Sequence, residues 1–364
     1  MKLKCITDYI ESLIPLELQE DYDNSGLILG NPEEEIKAVL LCLDITEEVL
    51  DEAIKKECNV VISHHPLIFK SIKRITDSDE EQRIILKAIR NDIAVYALHT
   101  NLDNSIGGLN ALLCRKIGIK ANKILQPSRN ILKKLVTFCP HEFAEKVRMA
   151  LFIAGAGHIG NYDCCSYNVQ GQGTFRASDQ AQPFVGEKNK LHYEDETRIE
   201  VIFPSFLEKN LIKTLTENHP YEEVAFDIYA LQNIYGKSGG GLVGDLEQEE
   251  DLTDILNRIK EITGIPVIRH SSTLGKKIKR VALCTGSGSF LIPEAILTGS
   301  DLFLTADMKY HDFFRFQKKI ILADIGHYES EQFVKEWIYS ILIEKFSTFA
   351  VLISESNTNP VKYY

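Results

Sequence analysis

Apolar positions near both ends of the chain fall into short unbroken runs. Ala38-Val39-Leu40-Leu41-Cys42-Leu43 is closed by Asp44, Val60-Val61-Ile62 by Ser63-His64-His65-Pro66, and Ile93 to Leu98 by His99. Runs this short and this apolar predict strands buried on both faces. Between them the pattern turns helical. Val49, Leu50, Ala53 and Ile54 share one face within Thr46 to Glu57, as do Ile84, Ile85, Ala88 and Ile89 within Glu80 to Asn91. Gly107-Gly108 opens a further helix to Ile117. From about residue 240 the rhythm returns. Val281 to Cys284, Leu302 to Leu304 and Ile320 to Ala323 read as strands. Thr285-Gly286-Ser287-Gly288-Ser289 reads as a turn before a short helix at Ile292, and a long helix runs from His327 to about Ile343. Alternation of strand and helix predicts an α/β fold with mostly parallel sheet. The two sections look like similar strand–helix units of one domain: Leu41-Cys42-Leu43-Asp44 parallels Leu283-Cys284-Thr285-Gly286.

The middle of the chain has a different order. Lys133 to Phe138 (strand), Glu142 to Ile153 (helix), Asp163 to Val169 and Arg198 to Phe203 (strands), Leu207 to Asn218 (helix) and Val224 to Leu231 (strand) give βαββαβ, the ferredoxin-like motif. Gly171 to Gly186 predicts an exposed hairpin or loop, and Gly236-Lys237-Ser238-Gly239-Gly240-Gly241 a return linker. The expected domains are therefore 1–128 with 235–364, interrupted by an insert at 131–232.

In mostly parallel sheets, ligands bind at the carboxyl ends of strands. Histidine is costly to bury unless both ring nitrogens find partners, so the His64-His65 doublet at a strand end points to chemistry. Neighbouring strand positions face opposite ways, so the two rings serve two metals or one turns at the strand end. His99 and Asp103 stand four apart after a strand, as do His327 and Glu331, and Asp307 and His311. Positions four apart share a helix face, which favours Glu331 over Glu329. Imidazoles with carboxylates suit Zn, Mn, Fe or Ni.

Composition narrows the picture. The chain has 364 residues, enough for two or three domains, and a net charge of −11, which argues against a general nucleic-acid binder. No stretch approaches a membrane span. The eight cysteines form no C-x-x-C pair, and the expected setting is a reducing cytoplasm. Gly236-Lys237-Ser238 lacks the glycine a phosphate loop needs, since position 231 is Leu. Ser63 beside His64 has no elbow motif. The stretch 285–289 reads as a plain tight turn, with an anion cradle of backbone N–H groups as the alternative. His219-Pro220-Tyr221-Glu222-Glu223 reads as an interface, a site, or a helix stop.

Ser63-His64-His65-Pro66, His99-Thr100-Asn101-Leu102-Asp103 and Gly326-His327-Tyr328-Glu329-Ser330-Glu331, with Asp23-Asn24-Ser25-Gly26-Leu27, resemble the GTP cyclohydrolase 1 type 2 homolog family, also described as dinuclear-metal-centre hexameric proteins. The middle section resembles the PII/CutA-like insert of some members, through residues 155–162, 171–175 and 219–223. Its loop Arg176-Ala177-Ser178-Asp179-Gln180-Ala181 departs from the pattern. The resemblance implies two divalent ions per chain held by His64, His65, Asp103, His327 and Glu331, with Glu331 bridging. His99, His311 and Asp307 then stand as neighbours or proton shuttles. It also implies a toroidal homohexamer and a hydrolase acting on a nucleotide or phosphoester through a metal-bridging hydroxide. The alternative is a non-catalytic regulatory assembly sensing a small ligand through its insert.

Overall fold

The computed structural model describes residues 1–364, the side chain of Asn122 excepted. It divides into two compact units, 1–127 with 237–364, and 128–236. The first strands are β1 (Gly26–Leu29), β2 (Ala38–Cys42), β3 (Val60–Ser63), β4 (Ala94–Ala97) and β5 (Ile119–Ser128). The second unit holds β6 (Leu132–Pro140), β7 (Ser166–Arg176), β8 (Leu191–Pro204) and β9 (Phe226–Ala230). Then come β10 (Tyr235–Glu250), β11 (Arg269–His270), β12 (Ile278–Ser287), β13 (Leu302–Ala306), β14 (Ile321–Asp324) and β15 (Ala350–Ile353).

The first unit contains two sheets, ordered β1-β4-β3-β2-β15 and β11-β14-β13-β12-β10-β5. β15, β2, β3 and β4 run parallel, with β1 antiparallel at the edge. β12, β13 and β14 run parallel, flanked by antiparallel β10 and β11. The apolar runs are buried on both faces because successive side chains point opposite ways. Val39, Leu41, Val60 and Ile62 join a core shared with Leu283, Leu304 and Ala323 of the other sheet. Leu40, Cys42 and Val61 face Val49, Leu50, Ile84 and Ile85 of two helices.

Those helices begin where their caps dictate. Thr46 accepts the Val49 amide at 3.3 Å before the helix Glu47–Lys55, and Asp79 accepts the Gln82 amide at 2.9 Å before Glu80–Arg90. Ile54 and Ile89, expected on the buried stripes of these helices, are exposed. Each buried Leu or Ile is worth about 1.5–3 kcal/mol relative to exposure. No helix is long and apolar enough to cross a membrane.

Two readings need correction. The glycine-rich stretch 236–241 is part of strand β10, not a linker. A Cβ at Gly240 or Gly241 would press on Leu291, and one at Gly244 on the Ala121 backbone. Glycine here permits close approach rather than flexibility. The helix expected from His327 is two helices, His327–Glu331 and Val334–Lys345. In the second unit, β7 and β8 form one long antiparallel hairpin that takes in residues 171–176 of the glycine-rich segment, and the rest of that segment lies in the loop between them, as expected for a hairpin or loop. That unit's sheet is antiparallel, ordered β7-β8-β6-β9. Its core is built from Leu135, Ile199, Val201 and Phe203 against Val147, Leu151, Leu211 and Leu215 of two helices.

Candidate metal centre

The carboxyl ends of both parallel strand sets deliver polar side chains to one cluster in the first unit. Asp44 follows β2, His64 and His65 follow β3, and His99 follows β4. Asp307 follows β13, and His327 follows β14. Asp103 lies on the helical turn Thr100–Asp103 and Glu331 on His327–Glu331, so His327 and Glu331 share a face.

Each imidazole is held from behind by an oxygen. His64 Nδ1 lies 2.6 Å from the Leu98 carbonyl, and His65 Nδ1 lies 2.6 Å from Asp44 Oδ1. His99 Nδ1 lies 2.7 Å from Asp23 Oδ1, and His327 Nδ1 lies 2.6 Å from Asp307 Oδ2. A carbonyl or carboxylate can only accept, so each Nδ1 carries the proton and donates. For His64, His65 and His327 that turns Nε2 toward the cluster. His65 Nε2 is 3.0 Å and His327 Nε2 3.1 Å from Glu331 Oε2. His64 Nε2 is 3.7 Å from Asp103 Oδ1 and 3.8 Å from Glu331 Oε1.

With the imidazoles in the neutral, Nδ1-protonated form, three buried atoms at the centre, His64 Nε2, Asp103 Oδ1 and Glu331 Oε2, have no hydrogen-bond partner among the described residues. An unsatisfied buried polar atom costs about 1–3 kcal/mol. One ring nitrogen and two carboxylate oxygens converging in this way form a donor set that suits a divalent cation. Three groups could hold a metal ion: His64 with His65 and His99, His65 with His327 and Glu331, and His64 with Asp103 and Glu331.

The protonation pattern agrees. Burial opposes charge on His65, but Asp44 and Glu331 outweigh it and push the ring up to about 10. His327 is raised to about 11 against the same penalty, through Asp307 and Glu331. Burial, with the Glu331 charge adding to it, pushes Asp103 up to about 7 despite His64. Glu331 is driven well below the usual range: burial opposes this, and His327, His64 and His65 overcome it. The hydrogen bond from His327 lowers Asp307. Asp44 is lowered against burial by His65 and Thr358. Without a cation the cluster is thus held together by protons that a metal would replace.

Gly286 makes room for this. Its φ is +60°, and a Cβ there would overlap Glu331 Oε1. The turn around it fits a plain tight turn better than an anion cradle, because three of its amides are already used. Thr285 N–H donates to Asn110 Oδ1, Gly286 N–H to Ser330 Oγ, and Gly288 N–H to Thr305 Oγ1.

Of the residues singled out in the sequence, His64, His65, His99, Asp103, His327 and Glu331 come together, and Asp307 stands behind His327. His311 does not join them; it is exposed beside Tyr310, at 5.4 Å between ring centroids. Glu329 turns away to accept from Asn359 at 3.0 Å. Two residues of the outer ring, Asp44 and Asp23, were not among the sequence candidates. Asp44's place at a strand's carboxyl end was the available signal. His219 is a helix stop, with Nε2 2.9 Å from the Phe138 carbonyl.

Three cavities border the cluster, one of them, about 690 Å³, at Asp44 and His65 beside Phe69 and Lys70. Another, of about 680 Å³, is lined by His65, His327, Asp307 and Tyr328, with Asn359 and Tyr363 from the last residues of the chain. The third, about 210 Å³, reaches His99, Asp103 and Glu331. Thr358 donates to Asp44 Oδ2 at 2.8 Å.

Comparison with known proteins places this geometry in context. The model of the Duf34/NIF3 (NGG1p interacting factor 3) family matches residues 1–360. A GTP cyclohydrolase 1 type 2 homolog of Bacillus subtilis is 37% identical over 98% of this chain and 97% of its own length. Its counterpart in Halalkalibacterium halodurans is 34% identical over 98% of each. The crystal structure of a Bacillus cereus protein related to NIF3 superposes with a TM-score of 0.84 at 36% identity, covering 100% of this chain and 99% of that one.

Proposed function

The chain belongs to the Duf34/NIF3 family, and from that premise we propose that it is a dinuclear-metal-dependent hydrolase of a nucleotide or phosphoester. One observation carries the reading. Two of the three donor groups, His64-Asp103-Glu331 and His65-His327-Glu331, share Glu331. A carboxylate offering one oxygen to each side is how a pair of ions is bridged. His64, His65, Asp103, His327 and Glu331 would hold the two divalent ions, of the Zn, Mn, Fe or Ni type. When bound, such a pair lowers the pKa of water and polarises a phosphoryl or carbonyl oxygen.

The protein's own residues do the rest. Asp44, Asp307 and the Leu98 carbonyl fix the ring tautomers, which sets ligand direction and basicity. His99, held by Asp23 and 5.3 Å in ring centroid from both His64 and His65, is placed to carry a proton at Nε2. Two of the cavities would admit substrate to the cluster, one at His65 and His327 and the other at His99, Asp103 and Glu331. The relatives' name suggests GTP ring opening, in which C8 of the purine is attacked; a phosphodiester would be attacked at phosphorus.

Two finer features belong to the same proposal. The second unit is a ferredoxin-like, PII/CutA-like insert, supported by its βαββαβ order and sheet order β7-β8-β6-β9. The assembly is a toroidal homohexamer in the cytoplasm, with the sites on an internal cavity, as the family resemblance implies.

The test is metal content by mass spectrometry for the wild type and Glu331→Ala, followed by hydrolysis of GTP and of bis-p-nitrophenyl phosphate. About two ions per chain with turnover lost in the variant supports the hydrolase. Two ions with no turnover on any nucleotide or phosphoester overturns it in favour of a regulatory metal protein.

A further inference from the structure

The second unit contains a cavity of about 570 Å³ that no step above uses. Its size is that of a small-molecule site. We infer that it binds a planar aromatic cation.

Three features of the walls lead there. The first is aromatic. Tyr221 sits between Phe175 and Phe184, with ring centroids 6.2 and 6.3 Å away and interplanar angles of 58° and 48°. Rings inclined in this way enclose a space instead of stacking shut, and their faces carry negative potential that attracts a cation. Phe184 remains 49% exposed, an apolar ring without a full complement of protein neighbours.

The second is the floor. Val169, Gly171, Gly173 and Phe175 of β7 pair with Arg198, Glu196, Glu194 and His192 of β8. Gly171 leaves an opening in the strand, where a Cβ would meet nothing within 4 Å, whereas the Glu196 carboxylate lies over Gly173, where a Cβ would overlap it. The opening over Gly171, edged by that carboxylate, gives a planar ring system room to enter.

The third is charge. Glu196, Glu222 and Glu223 line the cavity against a single guanidinium, Arg198. Arg198 is itself paired with Glu200 at 2.9 Å. Glu196 is fixed in place, accepting from the Tyr221 hydroxyl at 2.8 Å. Glu222 accepts the Gln182 amide at 2.7 Å, which ties the loop carrying Phe184 to the segment carrying Tyr221. The excess of carboxylate disfavours a phosphate or carboxylate ligand and favours a positive one. Aromatic walls, the opening over Gly171 and the carboxylates beside it together specify an aromatic ring bearing a quaternary or protonated nitrogen. This inference does not depend on the hydrolase reading, since every residue it uses lies in the second unit.

Equilibrium dialysis of the full-length protein against N-methylacridinium tests it. Uncharged acridine, at alkaline pH, and acridine-9-carboxylate serve as matched probes. The expected result is one saturable site per chain, with the cation bound about tenfold or more tighter than acridine and the carboxylate not bound. Gly171→Leu, whose side chain fills the floor of an exposed strand, should abolish binding. Glu196→Gln, which keeps the Tyr221 hydrogen bond, should erase the preference for the cation over acridine. Equal binding of all three probes, cation binding unchanged in Gly171→Leu, or no saturation by about 1 mM would overturn the inference. So would loss of cation binding at high protein concentration with larger assemblies forming, which would assign the cavity to a second copy of this chain.

Discussion

The carboxylate of Asp307 stands 2.6 Å from Nδ1 of His327, and this contact decides which ring nitrogen faces Glu331. Asp307 adopts φ +55°, a left-handed conformation that asparagine tolerates well. Asp307→Asn should therefore keep the backbone and lose only the negative charge behind the ring. Affinity for one ion should fall about 10–100-fold while the other is retained. Metal stoichiometry after dialysis against a graded chelator reads the difference.

Glu331 belongs to both donor groups, so its loss should act on both ions. Glu331→Gln should release both under conditions where His327→Ala releases one. Retention of a full ion in Glu331→Gln would show that the two groups do not share it.

Gly286→Ala combines two penalties, a β-carbon in a left-handed backbone and a clash with Glu331 Oε1. The backbone term alone costs about 1–2 kcal/mol. The variant should unfold earlier in urea and purify with depleted metal. An Ala substitution at Gly171, which is also a glycine but has no positive φ, should do neither.

Metal uptake should strengthen as pH rises. In the metal-free cluster Asp103 is pushed up to about 7, His65 to about 10 and His327 to about 11, so at neutral pH the ligands carry protons that a cation must expel. Calorimetry in buffers of different ionisation enthalpy should show net proton release on zinc binding. The metal-free protein should behave in the opposite sense. Its folded state holds the two histidine protons that an unfolded chain releases near 6.5. That contribution is complete below the unfolded value and disappears as pH climbs through about 10 and 11. Denaturant titrations of chelated protein along that range check it.

At the acid end, Glu52 ties down the last strand's exit. It accepts from Lys56, from the Ser354 and Ser356 hydroxyls, and from the Glu355 amide. Burial opposes its ionisation, yet these donors lower it to about 2. Its stabilisation is present above about 4.5 and is lost as pH falls through about 2. Glu52→Gln should therefore lower stability near neutrality and flatten its dependence on acid.

The parallel framework and the six residues of the cluster are legible in the sequence for a physical reason. A strand buried on both faces writes an unbroken apolar run, and a histidine pair at its end has no packing explanation. What lies behind the rings is not legible. Asp23 pairs with His99 across 76 positions and Asp44 with His65 across 21, and neither pairing leaves a local pattern. Gly236 to Gly241 misleads because glycines chosen for close packing against Leu291 have the composition of a linker. The break after Glu331 carries no proline or glycine to announce it.

The neighbouring positions of β5 and β10 in one sheet have a final consequence. The chain departs into the second unit along one strand and comes back along the strand hydrogen-bonded to it. The two ends of that excursion are therefore already side by side, as in a hairpin with an oversized loop. A gene that lost the intervening segment would need only a short turn to close the gap, and one that gained a different segment would not disturb the strands carrying the histidines. The second unit can thus be exchanged or lost without altering the strands that carry the histidines.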